Sequence, residues 1–415
     1  MASPRDYSRR AFLRKLAFVD EAHLGAANRS LVCIFLRGGA DTLNMLVPYG
    51  SDEYYKLRPN IAIKRPSSGG SKAAIKIDDF YGFHPKMAPL LPIYRDGRLG
   101  MVQAVGTDNF SGSHFESQDQ VDHGEACGHS LGGGWLGRHL ATRSLGQQTP
   151  LSAVAIGTAL PESLRGAPSV SVLNSIEDIK LQAPPGQSQA IAQALAKLYG
   201  SEVALLAEPS KSTLDLLSRV ERLQGKEYHP AHGANYPDNT FGRGLREIAR
   251  LLKGRVGLEV AALDLNGWDT HFFQGAEAGL QADSIEQLAN GLAAFDKDLG
   301  SARSSVTTLV ITEFGRRSYE NSSMGTDHGR AFTMFAIGDR IAGGKVHGPL
   351  PHLSRGEQLD LLGPSGLDVR FDYRSALSEV LVRALDNRRI DNVFPGFKAE
   401  EVGLVKHSRG YDNLS

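Results

Sequence analysis

The chain has 415 residues, 46 basic against 46 acidic side chains, and a hydrophobic content of 41%. A balanced charge supplies no global field to draw nucleic acid or an anionic membrane, and no apolar run reaches the ~18 residues that a spanning helix needs. Two cysteines, Cys33 and Cys127, exclude a disulfide framework.

At the amino terminus, Ser8-Arg9-Arg10-Ala11-Phe12-Leu13-Arg14-Lys15 has the form of a twin-arginine export signal. The apolar stretch that should follow stops early, because Asp20 and Glu21 come directly after Leu16 to Val19. A working signal would direct the protein to the periplasm, and a disabled one would leave it in the cytoplasm. Residues 1–29 are therefore expected to be a basic leader or disordered arm, 30–400 an α/β domain and 401–415 a tail.

Ser30 to Leu36 predicts a strand with almost no polar face, as in the middle of a parallel sheet. It runs into Arg37-Gly38-Gly39-Ala40-Asp41-Thr42-Leu43-Asn44. Ligands of open α/β sheets gather beyond the carboxyl ends of strands, so Asp41 is a candidate ligand. It is also suited to cap a helix. Arg37 is placed either to bind an anion or to pair with a carboxylate. His84, before Pro85 and a helical pattern, reads as a cap.

Leu99 to Gly106 predicts a second buried strand. Ser113 with Glu116 has capping-box spacing, which starts a helix whose free N–H groups form an anion site. Ser113 is an N-cap or, beside a metal, a nucleophile. His114 competes for the reactive role. Short strands are expected at 152–157 and 169–174. A helical insert over 186–235, with amphipathic stretches Ser188 to Leu198 and Thr213 to Leu223, would cap the sheet.

Helix 241–254 leads to a strand, Gly257 to Leu265, and then to Asp269 and His271. Residues two apart in extended backbone point the same way, so this pair can grip one ion. Helix Ala276 to Leu299 returns the chain to a strand at 306–311. The glycine-dotted loop after it delivers Asp327 beside His328, and glycines let backbone crowd an ion. A strand from Ala331 to Gly338 follows, then His347 on a glycine-flanked turn, and a last helix from Tyr373 to Asp386.

Nearly wholly apolar strands alternating with helices predict an α/β fold with a mainly parallel central sheet. Its strand ends deliver Asp41, Ser113, Asp269 with His271, Asp327 with His328, and His347. These suffice for two divalent ions sharing a serine, the arrangement that clamps both oxygens of an in-line displacement. Mixed Asp and His donors suit Zn or Mn.

The motifs FLRGGADTLNMLVP, SHFESQ, GWDTH, TEFGR and GTDHG occur in that order, behind the SRRAFLRK leader. Together they closely resemble the bacterial domain-of-unknown-function 1501 family over roughly 30–400. That family is similar to the alkaline phosphatase and sulfatase superfamily. The resemblance implies a mainly parallel sheet with helices on both faces and two metals at its carboxyl edge. Asp41, Asp327 and His328 would hold one metal with Ser113, and Asp269, His271 and His347 the other. Arg37, Asn44 or Arg316 would bind the anionic group of a small ester substrate. The Asp269-x-His271 spacing is shorter than in alkaline phosphatases. The Cys- or Ser-x-Pro-x-Arg sequence of formylglycine sulfatases is absent. The expected function is metal-dependent hydrolysis of phosphate or sulfate esters. The alternative is a non-catalytic member of the fold that binds an anionic ligand or partner.

Overall fold

The computed structural model describes residues 29–66, 70–142, 149–179, 216, 219–353 and 366–407. The twin-arginine segment, the stretch from Ser188 to Leu198, the start of the Thr213 stretch and the chain beyond residue 407 lie outside the described residues.

Among the described residues the central sheet has nine strands: β1 (Ser30–Arg37), β2 (Leu99–Gly106), β3 (Ala153–Ile156), β4 (Ser171–Leu173), β5 (Val260–Asn266), β6 (Val306–Thr312), β7 (Phe332–Ile337), β8 (Val346–His347) and β9 (Phe371–Asp372). Eight lie in the order β8-β2-β7-β6-β1-β5-β3-β4, and β9 also pairs with β2. Only β7 runs antiparallel to its neighbours. The other pairings are parallel, as the wholly apolar strands require.

Five helices over the two faces are α1 (His114–His123), α2 (Trp135–Ala141), α3 (Thr240–Lys253), α4 (Leu280–Leu299) and α5 (Tyr373–Glu379). Strand β1 shows how the sheet divides the core. Leu31, Cys33 and Phe35 join one core with Val121, Leu136 and Leu377, while Val32, Ile34 and Leu36 join the other with Leu245, Ile248 and Leu292. That alternation is the period-two side-chain pattern of a strand buried on both faces. In α4, Ile285, Leu288, Leu292 and Phe295 recur every three or four residues and form its buried stripe. Each such side chain contributes roughly 1.5–3 kcal/mol when fully removed from water.

Strand β1 lies between β5 and β6, with β2 on one side of it and β3, β4 and β5 on the other. The chain thus switches direction beside β1, and the carboxyl edge there is the natural place for a site.

Three helices differ from the expected bounds. The one after His84 is a 3-10 segment, Pro85–Leu90, followed by a short α-helix, Leu91–Arg95. Pro89 and Pro92 have no N–H to donate, which prevents a continuous α-helix. His84 is its cap, accepting from the Lys86 amide at 3.1 Å. Helix α4 starts at Leu280 rather than Ala276, because Gly275 and Gly279 turn the chain with φ of 81° and 114°. Helix α5 passes at Val380 into a π-helical turn, Val380–Ala384. Among the described residues no helix is long and apolar enough to cross a membrane.

Candidate metal centre

Strands β1, β5 and β6 are adjacent and parallel, so the loops leaving their carboxyl ends meet. Gly38, just past β1, permits a close approach to the loop after β5. Its φ is 120°, and a Cβ there would stand 2.6 Å from the Asp269 nitrogen, so only glycine fits. The Gly38 amide donates to Glu313 Oε1 at 2.9 Å, and its carbonyl accepts from Arg316 Nη2 at 2.5 Å.

Around Asp269 Oδ1 three imidazoles converge. His271 Nε2 lies 2.9 Å from it, His328 Nε2 3.3 Å and His114 Nε2 3.4 Å. The Nε2 atoms of His271 and His328 are 2.9 Å apart. Each ring holds its other nitrogen against an acceptor. His114 Nδ1 is 2.7 Å from Glu313 Oε1, His271 Nδ1 is 2.8 Å from Asp327 Oδ1, and His328 Nδ1 is 2.7 Å from the Gly112 carbonyl. Carboxylates and carbonyls only accept, so each Nδ1 carries a hydrogen, and the neutral form of each ring offers a bare lone pair at Nε2. Lone pairs aimed at one another repel unless a cation or proton lies between them. His114 Nε2 is buried without a hydrogen-bond partner. Such a donor set, with carboxylates holding imidazoles from behind, fits a divalent metal.

Charge is arranged to match. Burial raises the Asp269 carboxyl, but the hydrogen bond and charge of Arg316 outweigh it and hold the group down to about 2. Burial also opposes ionisation of Glu313, yet donors from His114 and Gln118 keep it below the usual range. The Glu313 hydrogen bond raises His114, while burial lowers His328. Arg316 is fully buried and fixed by carbonyls: Nε donates to Gly39 at 2.6 Å and Nη1 to Thr326 at 2.7 Å. Its Nη2 reaches Asp269 Oδ1 at 2.6 Å. Phe314 packs its ring 4.8 Å from those of His114 and His328.

The expected division into two ion sites is not what the fold brings together. Asp269, His271 and His328 come from both expected sets and meet with His114. Asp327 stands behind His271, its Oδ1 also accepting from Asn321 at 3.0 Å. Asp41 is fully buried, accepts from Arg58 and Gln274 at 2.6 Å each, and makes no cap hydrogen bond. The local reason is that Arg58, 17 residues on, claims its charge. His347 sits on edge strand β8, level with Val102 and separated from β6 by β2 and β7, with Nε2 on the Ala342 carbonyl at 2.8 Å. Strands are spaced ~4.8 Å apart, which keeps it from the other donors. Arg37 pairs with Asp122 at 2.8 Å and Asp264 at 3.1 Å, the pairing reading rather than the anion-binding one. Asn44 is buried among Ile61, Tyr54 and Arg58. Ser113 caps α1, its hydroxyl accepting from the Glu116 amide at 3.5 Å, one residue from the Gly112 carbonyl that holds His328.

Residues 28–361 match the family described as Protein of unknown function (DUF1501). The chain belongs to this family. No curated protein matches the DUF1501 chain. It is similar to a solved structure, that of alkaline phosphatase from the Antarctic bacterium TAB5, at 10% identity and a TM-score of 0.27, over 75% of this chain and 92% of that one. The matched region of the DUF1501 chain contains the whole cluster, from Gly38 to His328.

Sequence reasoning passed over Glu313, Gln118 and Asn321. A glutamate ending a wholly buried strand was the available signal for Glu313, since a carboxylate there must find partners. Gln118 and Asn321 carry no comparable signal. A second group on the DUF1501 chain, Asp119, His123 and Glu125, joins the last turn of α1 to the residues after it. Its histidine is 3.5 Å from Asp119 and 3.8 Å from Glu125. Asp119 is exposed, His123 half-buried and Glu125 buried.

Proposed function

We propose that the DUF1501 chain is a metal-dependent hydrolase of phosphate or sulfate esters. The carrying observation is the convergence of three Nε2 lone pairs on Asp269 Oδ1, each ring held by an acceptor at Nδ1. His114, His328 and Asp269, whose ligand atoms lie within 4.8 Å of one another, would hold one ion with His271 beside them, and Zn or Mn is suited to mixed imidazole and carboxylate donors. That ion supplies Lewis acidity and charge for an anionic ester.

Ser113 is the nucleophile in this reading. It opens α1, where the free amides of the first turn and their partial positive charge favour the oxygens of a bound ester. Its oxygen bonds to phosphorus or sulfur as the ester bond breaks. The proton lost by the serine hydroxyl ends on the leaving alcohol, and water then cleaves the seryl ester, returning one proton to the serine as the free acid leaves. Arg316, held rigid by four carbonyls, keeps positive charge beside the reacting group without reorganising.

A second reading, binding of an anion without hydrolysis, draws support from the same arginine. Arg316 Nη1 lies 3.4 Å from His271 Nε2, so a fixed cation already borders the donors. One experiment separates the two. Elemental analysis after incubation with Zn or Mn is paired with a panel of aryl phosphate and sulfate monoesters and diesters. Hydrolysis predicts about one ion per chain, turnover, and a loss of at least about 100-fold in kcat/KM for Asp269→Asn. A chain that holds no ion and turns over no ester overturns the hydrolase.

A further inference from the structure

We infer that the ester taken at this centre is amphiphilic: its anionic group meets the three histidines, and an aryl or alkyl body lies on a rim of exposed phenylalanines and a methionine. The inference rests on the hydrolase reading and adds the substrate class. Nine large hydrophobic side chains are exposed among the described residues. Four of them lie in the loops that build the centre and a fifth stands on the first turn of α1 beside His114: Phe110 at 48%, Phe272 at 66%, Phe273 at 67% and Met324 at 40%, with Phe115 on the helix at 89%. Phe115 follows His114, Phe272 and Phe273 follow His271, and Met324 precedes Asp327 by three residues. Phe110 lies two residues before Gly112, with the Arg330 guanidinium 3.8 Å above its ring.

The loops are tied to one another. The Phe273 amide donates to the Ser323 carbonyl and the Gln274 amide to the Met324 carbonyl, both at 2.9 Å. The Gly112 carbonyl joins the third loop through His328. Scattered exposed apolar side chains need no explanation, but a group of them marks a ligand site.

Backbone conformation supplies an independent sign. Phe273 and Met324 have φ of 46° and 54°, in the left-handed region that bulky side chains rarely adopt. Strain of this kind persists where the surrounding structure enforces it, characteristically at ligand sites. Folding alone has no use for a strained, water-exposed phenylalanine. The occupant follows from what adjoins the rim. The centre is built for an anion in this reading, and the exposed faces of Phe115, Phe272, Phe273 and Met324 offer apolar contact beside it. A polyhydroxylated ester would leave its hydroxyls without partners on phenylalanine and methionine.

The test measures binding of methyl-, butyl-, hexyl- and octylphosphonate by calorimetry, below their aggregation concentrations, to full-length protein preincubated with Zn or Mn. Inorganic phosphate is the anion-only probe. The carbon–phosphorus bond resists hydrolysis, so binding is read apart from turnover. Affinity is expected to rise about twofold to fourfold per added methylene. Phe115→Ser combined with Phe273→Asn should flatten that slope; asparagine tolerates the left-handed backbone, which protects the fold. Affinity independent of chain length, or a slope unchanged in the double variant, overturns the inference. So does binding to phosphatidylcholine vesicles without any chain-length dependence in solution, which would assign the rim to a membrane surface. Equal turnover of ethyl and octyl phosphate would sink the substrate class while sparing the hydrolase. A phosphonate slope with no ester turned over would support the rim and sink the hydrolase.

Discussion

Asp327 does not point at the place where the donors meet, yet it decides which nitrogen of His271 is free. Its carboxylate accepts from Nδ1 at 2.8 Å and so leaves Nε2 bare. In Asp327→Asn the amide can turn its NH2 toward Nδ1 and drive the hydrogen to Nε2, the wrong tautomer for a ligand. Affinity for Zn, measured by competition with a chromophoric chelator, should fall about 10- to 100-fold with secondary structure retained. An affinity within about twofold of wild type would remove Asp327 from this role. The carboxylate–imidazole pairs past β5 and β6 were legible in the sequence because each is contiguous. Glu313 was signalled only by its place at the end of a buried strand, since its partner His114 lies 199 residues away.

Among the elements, α1 carries a polar stripe at four-residue spacing. His114 and Gln118 reach Glu313, and Asp122 reaches Arg37. Such spacing puts the three on one face. The sequence marked where this helix begins, but with a buried face that is polar its periodicity resembled no ordinary amphipathic pattern. At the end of α4, fully buried Asp298 binds two other segments, the 228–236 linker and the end of α3. It accepts from Tyr228 at 2.7 Å, Tyr236 at 2.8 Å, the Ala231 amide at 2.7 Å and Lys253 at 2.7 Å. Burial raises this carboxyl, and those donors outweigh it and hold it below the usual range. Asp298→Ala strands four donors, a loss expected to reach roughly 3–5 kcal/mol in urea unfolding. A loss below about 1 kcal/mol would show that the segments hold together without it.

For the molecule as a whole, a buried histidine is one group that couples folding to acid. His84 Nε2 faces the Ala276 carbonyl at 3.0 Å, and burial pulls its pKa down to about 4. Between the ordinary value near 6.5 and about 4, the unfolded chain binds a proton that the folded chain refuses. Stability is therefore lost as pH falls through that window, by roughly 3 kcal/mol at most. Asp122 works in the opposite direction, because burial, against Arg37, pushes it up to about 6. Comparing wild type with His84→Gln isolates the histidine. The stability difference should shift toward the variant between pH 6.5 and 4, and a difference constant across that range would refute the assignment.

Much was written in the sequence alone. Apolar runs of strand length determined a parallel sheet, and the chain order of its motifs determined the family. The carboxyl edges of β5 and β6 were already recognisable as the source of imidazole and carboxylate donors. Tertiary structure decided which donors meet. Strand order places β5, β1 and β6 side by side and leaves His347 on the far edge. Arg58, 17 residues from Asp41, and Asp122, 85 residues from Arg37, claim the charges of those two side chains. A side chain's freedom to bind depends on what packs against it, and neighbours supplied from elsewhere in the chain leave no mark on the local sequence.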